Sequence, residues 1–421
     1  MRLLHVVPTY LPAWRHGGPV LAVHGLCRAL AARGHQVTVF TTDVHGAGAL
    51  AVPLATPVEV DGVTVWYFPV TVPRRLYRSP AMRAALAVRL PALGEGTPTR
   101  HQAGFDLVHL HSVFLWPTAA AARAAERAGV PYLVAPRGML VGDLLRLRGR
   151  LRKRLWIRLV ERRTLGRAAA LHATSELEAE EAASLGLPMA PVHVVPNGVD
   201  VEPWDGTREA DLAPAVRAAL SRRPLLLFLG RLSWKKGLDR LLLALAQVPG
   251  ATLAIAGNDE EGYRARLDRL AADAQVADHV VHLGPVHGAD KIALLHLADA
   301  LVLPSYSENF GNVVLEAMAA GLAVAVTPEV GLAGVVRAAG AGVVADGDPP
   351  RFAAALRALL ADSAARQAMG RRGMTAARSF SWDAIAARME EVYDEVLHGR
   401  RNGSATAARP LREIAPETPP S

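Results

Sequence analysis

The stretch ALVLPSYSENFGNVVLEAMAAG, Ala300–Gly321, decides the fold. Its first residues, Ala300–Leu303, form a short apolar run stopped by Pro304, which is how a buried strand reads. A polar loop follows, and beyond Gly311 the apolar residues fall at helical spacing until Gly321. The unit is strand, loop, helix. The same pattern surrounds it: Leu225–Leu229, Thr252–Ala256, Val280–Leu283, Ala323–Val326 and Gly342–Val344 read as strands, each followed by a helical stretch.

The first half alternates in the same way. Arg2–Val7 and Val37–Thr41 are strands around a helix, Gly18–Ala32, closed by Gly34. Val63–Phe68 and the runs that begin at Asp106, Pro131, Ala169 and Val192 continue the series. Strands alternating with helices predict a parallel, doubly wound sheet, so the fold class is α/β with two Rossmann-like domains facing each other across a cleft. The predicted division is 1–200 and 201–380, with the linker in Val201–Arg223, where Pro203, Gly206, Pro214 and Pro224 replace strand character. Pro349–Leu360, Ala364–Ser379 and Ser381–Leu397 form a helical tail, and 399–421 reads as disordered.

Composition agrees. At ~150 residues per domain, 421 residues make two or three domains, and 51% hydrophobic residues are enough for sizeable cores. The single cysteine, Cys27, excludes a disulfide framework and a cysteine zinc site, and points to a reducing compartment. The N-terminal apolar run is short and ends in a turn, the mark of a first strand and not of a signal peptide. The apolar window Leu107–Ala122, interrupted by His109, His111 and Pro117, falls short of the ~20 residues a membrane span needs. A cytoplasmic chain is expected, peripheral at most at the inner face of the plasma membrane.

The net charge of +8 is concentrated. Arg146–Arg167 holds ten basic residues and one acid, net +9, which leaves 37 basic and 38 acidic residues elsewhere. Only Trp156 offers a stacking ring there, so a nucleic-acid partner is excluded. Two readings stay open: a solvated helix face in an arginine-rich chain, or a basic amphipathic surface, with Arg152, Lys153, Arg154 and Arg158 at its centre, for anionic lipid headgroups or a phosphorylated acceptor. The chain has four lysines beside 43 arginines, so the pair Lys235–Lys236 stands out.

Three strings carry chemistry. In SYSENFGNVVLEAMAAG, Glu308 follows a strand, and Glu316 lies eight positions on, about two turns into the next helix. The loop Asn309–Asn312 puts backbone amides at that helix's N-terminus, a cradle for phosphate. In FLGRLSWKKGLDRLL, a strand ends at Gly230, and Arg231 and Lys236 flank the turn into a helix, where two cations and helix amides can neutralise a diphosphate without a metal. No Walker A spacing is met, and no G-x-G-x-x-G joins a strand to a helix, which disfavours nicotinamide chemistry. In HGGPV, adjacent glycines precede a helix. His111 ends its strand at the expected cleft, His109 reads as a satisfied core histidine, and Asn197–Gly198 reads as a turn.

Together these strings, with DLVHLH, HATSELEAE, VPNGVD and AGNDEEGY, resemble the retaining glycosyltransferases of family 4, the glycosyl transferases group 1, in order from Met1 to about Leu397. The resemblance implies a GT-B fold, a nucleotide sugar donor bound mainly by the second domain, no metal or other cofactor, and a last helix crossing back to the first domain. PRGML at Pro136–Leu140, with the basic segment, is similar to members that build bacterial exopolysaccharide or O-antigen on a lipid carrier, so a lipid-linked or glycan acceptor and an anionic membrane surface are the implied partners. Carried over by position, Arg231 and Lys236 match the diphosphate pair, Glu308 the glutamate on donor-sugar hydroxyls, and Glu316 the one on ribose. Phe310, Gly311, Asn312 and Val313 match the loop around sugar and phosphates. His111 matches the histidine near the transferred sugar, and Gly17 and Gly18 the loop facing phosphates. Gly230, Gly257, Pro285 and Val286 match backbone positions along the donor. A sugar-nucleotide 2-epimerase of the same fold, and a non-catalytic assembly partner, are the rival readings.

Overall fold

A computed structural model gives the structure of residues 1–13, 17–46, 48–72, 74–92, 104–140, 155–200, 211–259 and 262–399. The strands are β1 Arg2–Val6, β2 Gln36–Thr42, β3 Val44–His45, β4 Gly48–Ala49, β5 Pro57–Val60, β6 Val63–Phe68, β7 Leu107–His111, β8 Tyr132–Ala135, β9 Ala170–Ala173, β10 Val192–Val194, β11 Leu225–Leu229, β12 Thr252–Ala256, β13 Val280–Gly284, β14 Ala300–Leu303, β15 Val324–Val326 and β16 Gly342–Val344. The helices are α1 Gly18–Ala32, α2 Pro80–Arg89, α3 Trp116–Arg127, α4 Arg162–Gly166, α5 Glu176–Ser184, α6 Pro214–Leu220, α7 Leu238–Leu245, α8 Arg264–Asp273, α9 Gly288–Leu297, α10 Asn312–Ala319, α11 Ala333–Ala339, α12 Pro349–Ala361, α13 Ser363–Ala377 and α14 Trp382–Gly399.

Two sheets result. The first runs β10-β9-β8-β7-β1-β2-β6-β5, and the second β13-β12-β11-β14-β15-β16. Every pair within them is parallel except β5–β6, an antiparallel edge that the sequence pattern did not reveal. Strands such as β11 (LLLFL) are buried at every position, because helices cover both faces. In each sheet the strand order reverses at one place, between β1 and β7 and between β11 and β14. Loops diverge at such switch points and leave a crevice at the carboxyl ends of the strands.

The expected linker needs correction. Residues 201–210 lie outside the described residues, but 211–223 belong to the second domain. Val216, Ala219 and Leu220 of α6 are buried, and the Ala213 N–H donates to Asp290 (2.9 Å). Two prolines had hidden that helix; Pro214 sits at its first turn, where proline is tolerated. The tail from 400 onward is outside the described residues.

The last helix, α14, packs on the first domain. Tyr393 is fully buried there, with its hydroxyl 2.8 Å from His109 Nδ1, and Arg33 forks onto Glu390 and reaches Asp383. The Trp382 ring lies against Gly25 of α1 and Gly198, so closely that a Cβ at either glycine would overlap it. Gly25→Val should therefore overpack this seam and cost about 1–3 kcal/mol, lowering the thermal midpoint by a few degrees. Gly334→Ala, at a helical site with open space around it, should be neutral or raise stability by up to about 1 kcal/mol. Calorimetric scans of both variants check the contrast.

Candidate functional site

The second domain's switch point brings a lysine and a glutamate together. β11 exits through Gly230 and the exposed Arg231, and the short turn Trp234–Lys236 ends at Gly237. That turn is stitched to the exit of β14: the Tyr306 N–H donates to the Lys235 carbonyl (2.7 Å), and Gly237 packs so tightly on the Pro304 carbonyl that a Cβ would collide with it. Lys236 Nζ consequently forms an ion pair with Glu308 Oε2, both side chains less than one fifth exposed. Glu308 is pinned through its backbone, donating to Glu329 O (3.0 Å) and accepting from Gly331 N–H (2.9 Å).

Directly after Glu308 the chain passes the buried Phe310 and turns through Gly311, at φ 93°, into α10. The left-handed conformation is what glycine supplies. α10 opens at Asn312, so its leading amides, Asn312 and Val313 among them, point out of the helix end beside Glu308. Glu316 is therefore one turn into the helix, not two, and pairs with Lys291 of α9 at 2.8 Å. The exits of β12 and β13 lie alongside. Gly257 approaches Gly230 so closely that a Cβ would strike its carbonyl oxygen, and Gly257 N–H donates to Gly284 O (2.8 Å), just before Pro285 and Val286.

The first domain closes over this loop at two points. Asn312 Nδ2 donates to Gly18 O (3.3 Å), beside Gly17, and Asn312 Oδ1 accepts from Asn197 Nδ2 (2.9 Å). Asn309 Nδ2 donates to Thr174 Oγ1 (2.7 Å) and Glu178, while its carbonyl accepts from Ser175 Oγ (2.7 Å). Glu178 is buried and also takes the N–H groups of Gly138 and Thr174.

His111 differs from expectation. It is fully buried, because Arg137 lies over it, with Nη2 and Nε 3.3 and 3.4 Å from His111 Nδ1. A guanidinium only donates, so Nδ1 accepts and Nε2 carries the proton, which goes to His5 Nδ1 at 3.0 Å. Both ring nitrogens are spent. His109 is indeed a satisfied core residue, held by Tyr393 and, at 3.2 Å, by His172, whose Nε2 reaches Val195 O. Burial, reinforced by Arg137, holds His5 and His172 down to about 3, and burial puts His109 and His111 well below the usual histidine range. His5, His109 and His111 bring ligand nitrogens within 4.8 Å of one another, but they do not fit a cation, since Arg137 faces the group, His5 and His111 bond each other, and both nitrogens of His109 are taken by Tyr393 and His172.

The group 1 glycosyl transferase family model matches residues 212–375, and the glycosyl transferase 4-like domain model matches 17–198. The D-inositol 3-phosphate glycosyltransferase of Xylanimonas cellulosilytica is 31% identical over 420 residues, spanning 94% of each chain. The chain belongs to the group 1 glycosyl transferases. The glycogen synthase of Mycobacterium tuberculosis is also 31% identical to this transferase, over 95% of it and 96% of its own length. Among solved structures, the sucrose-phosphate synthase of Thermosynechococcus elongatus superposes with a TM-score of 0.72 at 22% identity, covering 95% of the transferase and all of that chain. HepE of Anabaena, in complex with UDP and glucose, gives 0.70 at 19% identity, covering 94% and 100%. The fold is GT-B, as the sequence resemblance implied.

Five residues at the transferase's cleft were given no side-chain role from sequence: Arg137, Glu178, Asn197, Lys291 and Asn309. Asn197 and Asn309 sit inside quoted strings, yet only their partners, 115 and 135 residues away, give them meaning. In the basic segment, Arg152, Lys153 and Arg154 lie outside the described residues. Arg158 is exposed, between the exposed Leu155 and Leu159, whereas Leu165 is buried and Arg163 and Arg167 pair with Glu126.

The buried histidines make stability pH-dependent. Their folded pKa values lie below the unfolded value of ~6.5, so the unfolded chain binds more protons and stability rises with pH. That stability is present above pH 6.5 and is lost on acidification. Each ring should cost about 2 kcal/mol between pH 6.5 and 5. Urea unfolding of the wild type should show the loss, and His172→Gln should shrink the difference between pH 7 and pH 5 by about that amount; equal stability at both pH values would contradict it.

Proposed function

We propose that the transferase is a retaining enzyme that moves a hexose from a nucleotide diphosphate sugar to a hydroxyl acceptor, a lipid-linked glycan of cell-surface polysaccharide synthesis. The observation that carries this is the Lys236–Glu308 pair beside the open end of α10 at the second domain's switch point. An ammonium and helix amides there suit a diphosphate, and a carboxylate one step away suits sugar hydroxyls. Arg231 and Lys236 hold the diphosphate and take up charge as it leaves. Glu308 positions the sugar, and Glu316, kept in place by Lys291, holds the ribose. The base lies along Gly257 and Gly284–Val286, and Gly17–Gly18 covers the phosphates. The departing diphosphate accepts the acceptor's proton on the face it leaves, which retains configuration and needs no protein nucleophile. Positioning and charge stabilisation then account for the rate. The cations do the work of a metal, so none is required.

Retention rests on the family 4 resemblance. UDP is the first nucleoside diphosphate to try, since the HepE structure holds it. The lipid-linked acceptor is supported by the outward face Leu155, Arg158 and Leu159, and by a cavity of about 420 Å³ lined by Trp116, Trp156 and Val160 with Arg83, Arg123 and Arg127 among its walls. No described helix is long and apolar enough to cross a membrane, so contact would be through such a surface.

A thermal-shift panel of nucleoside diphosphates tests the donor site: at ~100 times its dissociation constant the right one stabilises by about 2.7 kcal/mol. Arg231→Ala or Lys236→Ala should lower turnover by about two orders of magnitude or more, with activity retained in EDTA. Glu308→Gln should lower turnover and keep nucleotide affinity, whereas Glu316→Gln should lose affinity. Strict Mn²⁺ dependence, or equal affinity loss in both glutamine variants, would contradict the assignment.

For the basic segment, binding to anionic liposomes should fall steeply as salt rises from 0.1 M to 1 M, where the Debye length shrinks from ~10 to ~3 Å. Changing Arg152, Lys153, Arg154 and Arg158 to Gln should abolish sedimentation with the liposomes and leave the nucleotide thermal shift intact. Unchanged sedimentation would leave the segment a solvated face.

A further inference from the structure

Arg137 follows β8 on the first domain and has no carboxylate within ion-pair distance among the described residues. Of its five N–H groups, two go to His111 Nδ1 and one to Asn197 Oδ1 (2.8 Å). Both partners are neutral. One N–H on each of Nη1 and Nη2 remains. Glu178 is the carboxylate whose charge reaches Arg137, but its oxygens are taken by Gly138, Thr174 and Asn309. A guanidinium stays charged at any working pH, and holding one largely out of water without a counterion is costly.

The backbone around it is held in an unfavourable form. Arg137 has φ 56°, and Ser112 and Phe114, at the neighbouring exit of β7, have φ 73° and 62°. Left-handed residues other than glycine cluster where the surrounding structure fixes a functional side chain. Arg137 belongs to the first domain, and Arg231 and Lys236, which the proposed donor site gives to a diphosphate, belong to the second. Through Asn197 it is one hydrogen-bond step from Asn312 at the start of α10.

We propose that Arg137 is an anion anchor on the acceptor side of the cleft, its two unspent N–H groups taking the oxygens of a phosphate or carboxylate carried by the acceptor. The acceptor class is thereby anionic. The proposal rests on the second domain holding the donor diphosphate, and the test separates the two.

The full chain is first titrated with the nucleoside diphosphate that stabilises it, then saturated with it so that the donor-side cations are filled. Inorganic phosphate is then titrated calorimetrically as the probe. Wild type should bind phosphate, Arg137→Met should bind it about tenfold to a hundredfold more weakly, and Arg137→Lys should fall between. Nucleotide affinity should be the same in all three proteins. Phosphate binding that is absent in wild type, or equal in wild type and Arg137→Met, overturns the proposal. Loss of nucleotide affinity in Arg137→Met by the same factor as phosphate assigns the guanidinium to the donor and overturns it too. Should Arg137→Met fail to fold, Arg137→Lys carries the same comparison. If no nucleoside diphosphate binds wild type, the donor reading fails and this proposal falls with it.

Discussion

One short loop, Asn309–Asn312, carries two duties that are elsewhere separate. Its amides and Gly311 open α10 beside Glu308, and its two asparagines fasten the second domain to the first through Ser175, Thr174, Asn197 and Gly18. A group bound at the head of α10 therefore sits at the seam where the domains meet. Anything that shifts the seam moves the cradle, and anything that fills the cradle bears on the seam. The buried Glu178, which holds Asn309 and the backbone of Gly138 and Thr174 together, stiffens the first domain's side of that contact.

Much of this was legible in the chain. Strand-helix alternation gave the two parallel sheets, because period and length distinguish buried strands from helices locally. The Glu-x7-Glu string and the Arg231–Lys236 turn lie in continuous segments, so their placement at strand exits follows from the same local rules. What escaped is pairwise and distant. Arg137, Asn197 and Glu178 look like ordinary turn or helix residues until topology brings them to residues 26 to 131 positions away. The helix Pro214–Leu220 was hidden by prolines that suit a first turn. Glu316 came out one turn into its helix because Gly311 delays the helix start.

The first domain's histidines illustrate how burial redefines a residue. His111 ends a strand at the switch point, where a free imidazole would face the cleft, yet Arg137 covers it and its tautomer is set by donors on one side and His5 on the other. It acts as a support beneath a cation.

The most direct test of the donor site is a crystal structure of the full chain with the nucleoside diphosphate that stabilises it most. The diphosphate should lie against Arg231, Lys236 and the leading amides of α10, with the ribose on Glu316 and the base along Gly284–Val286. A nucleotide seated on the first domain, or a diphosphate remote from Lys236 with its pairing to Glu308 unchanged, would contradict the account.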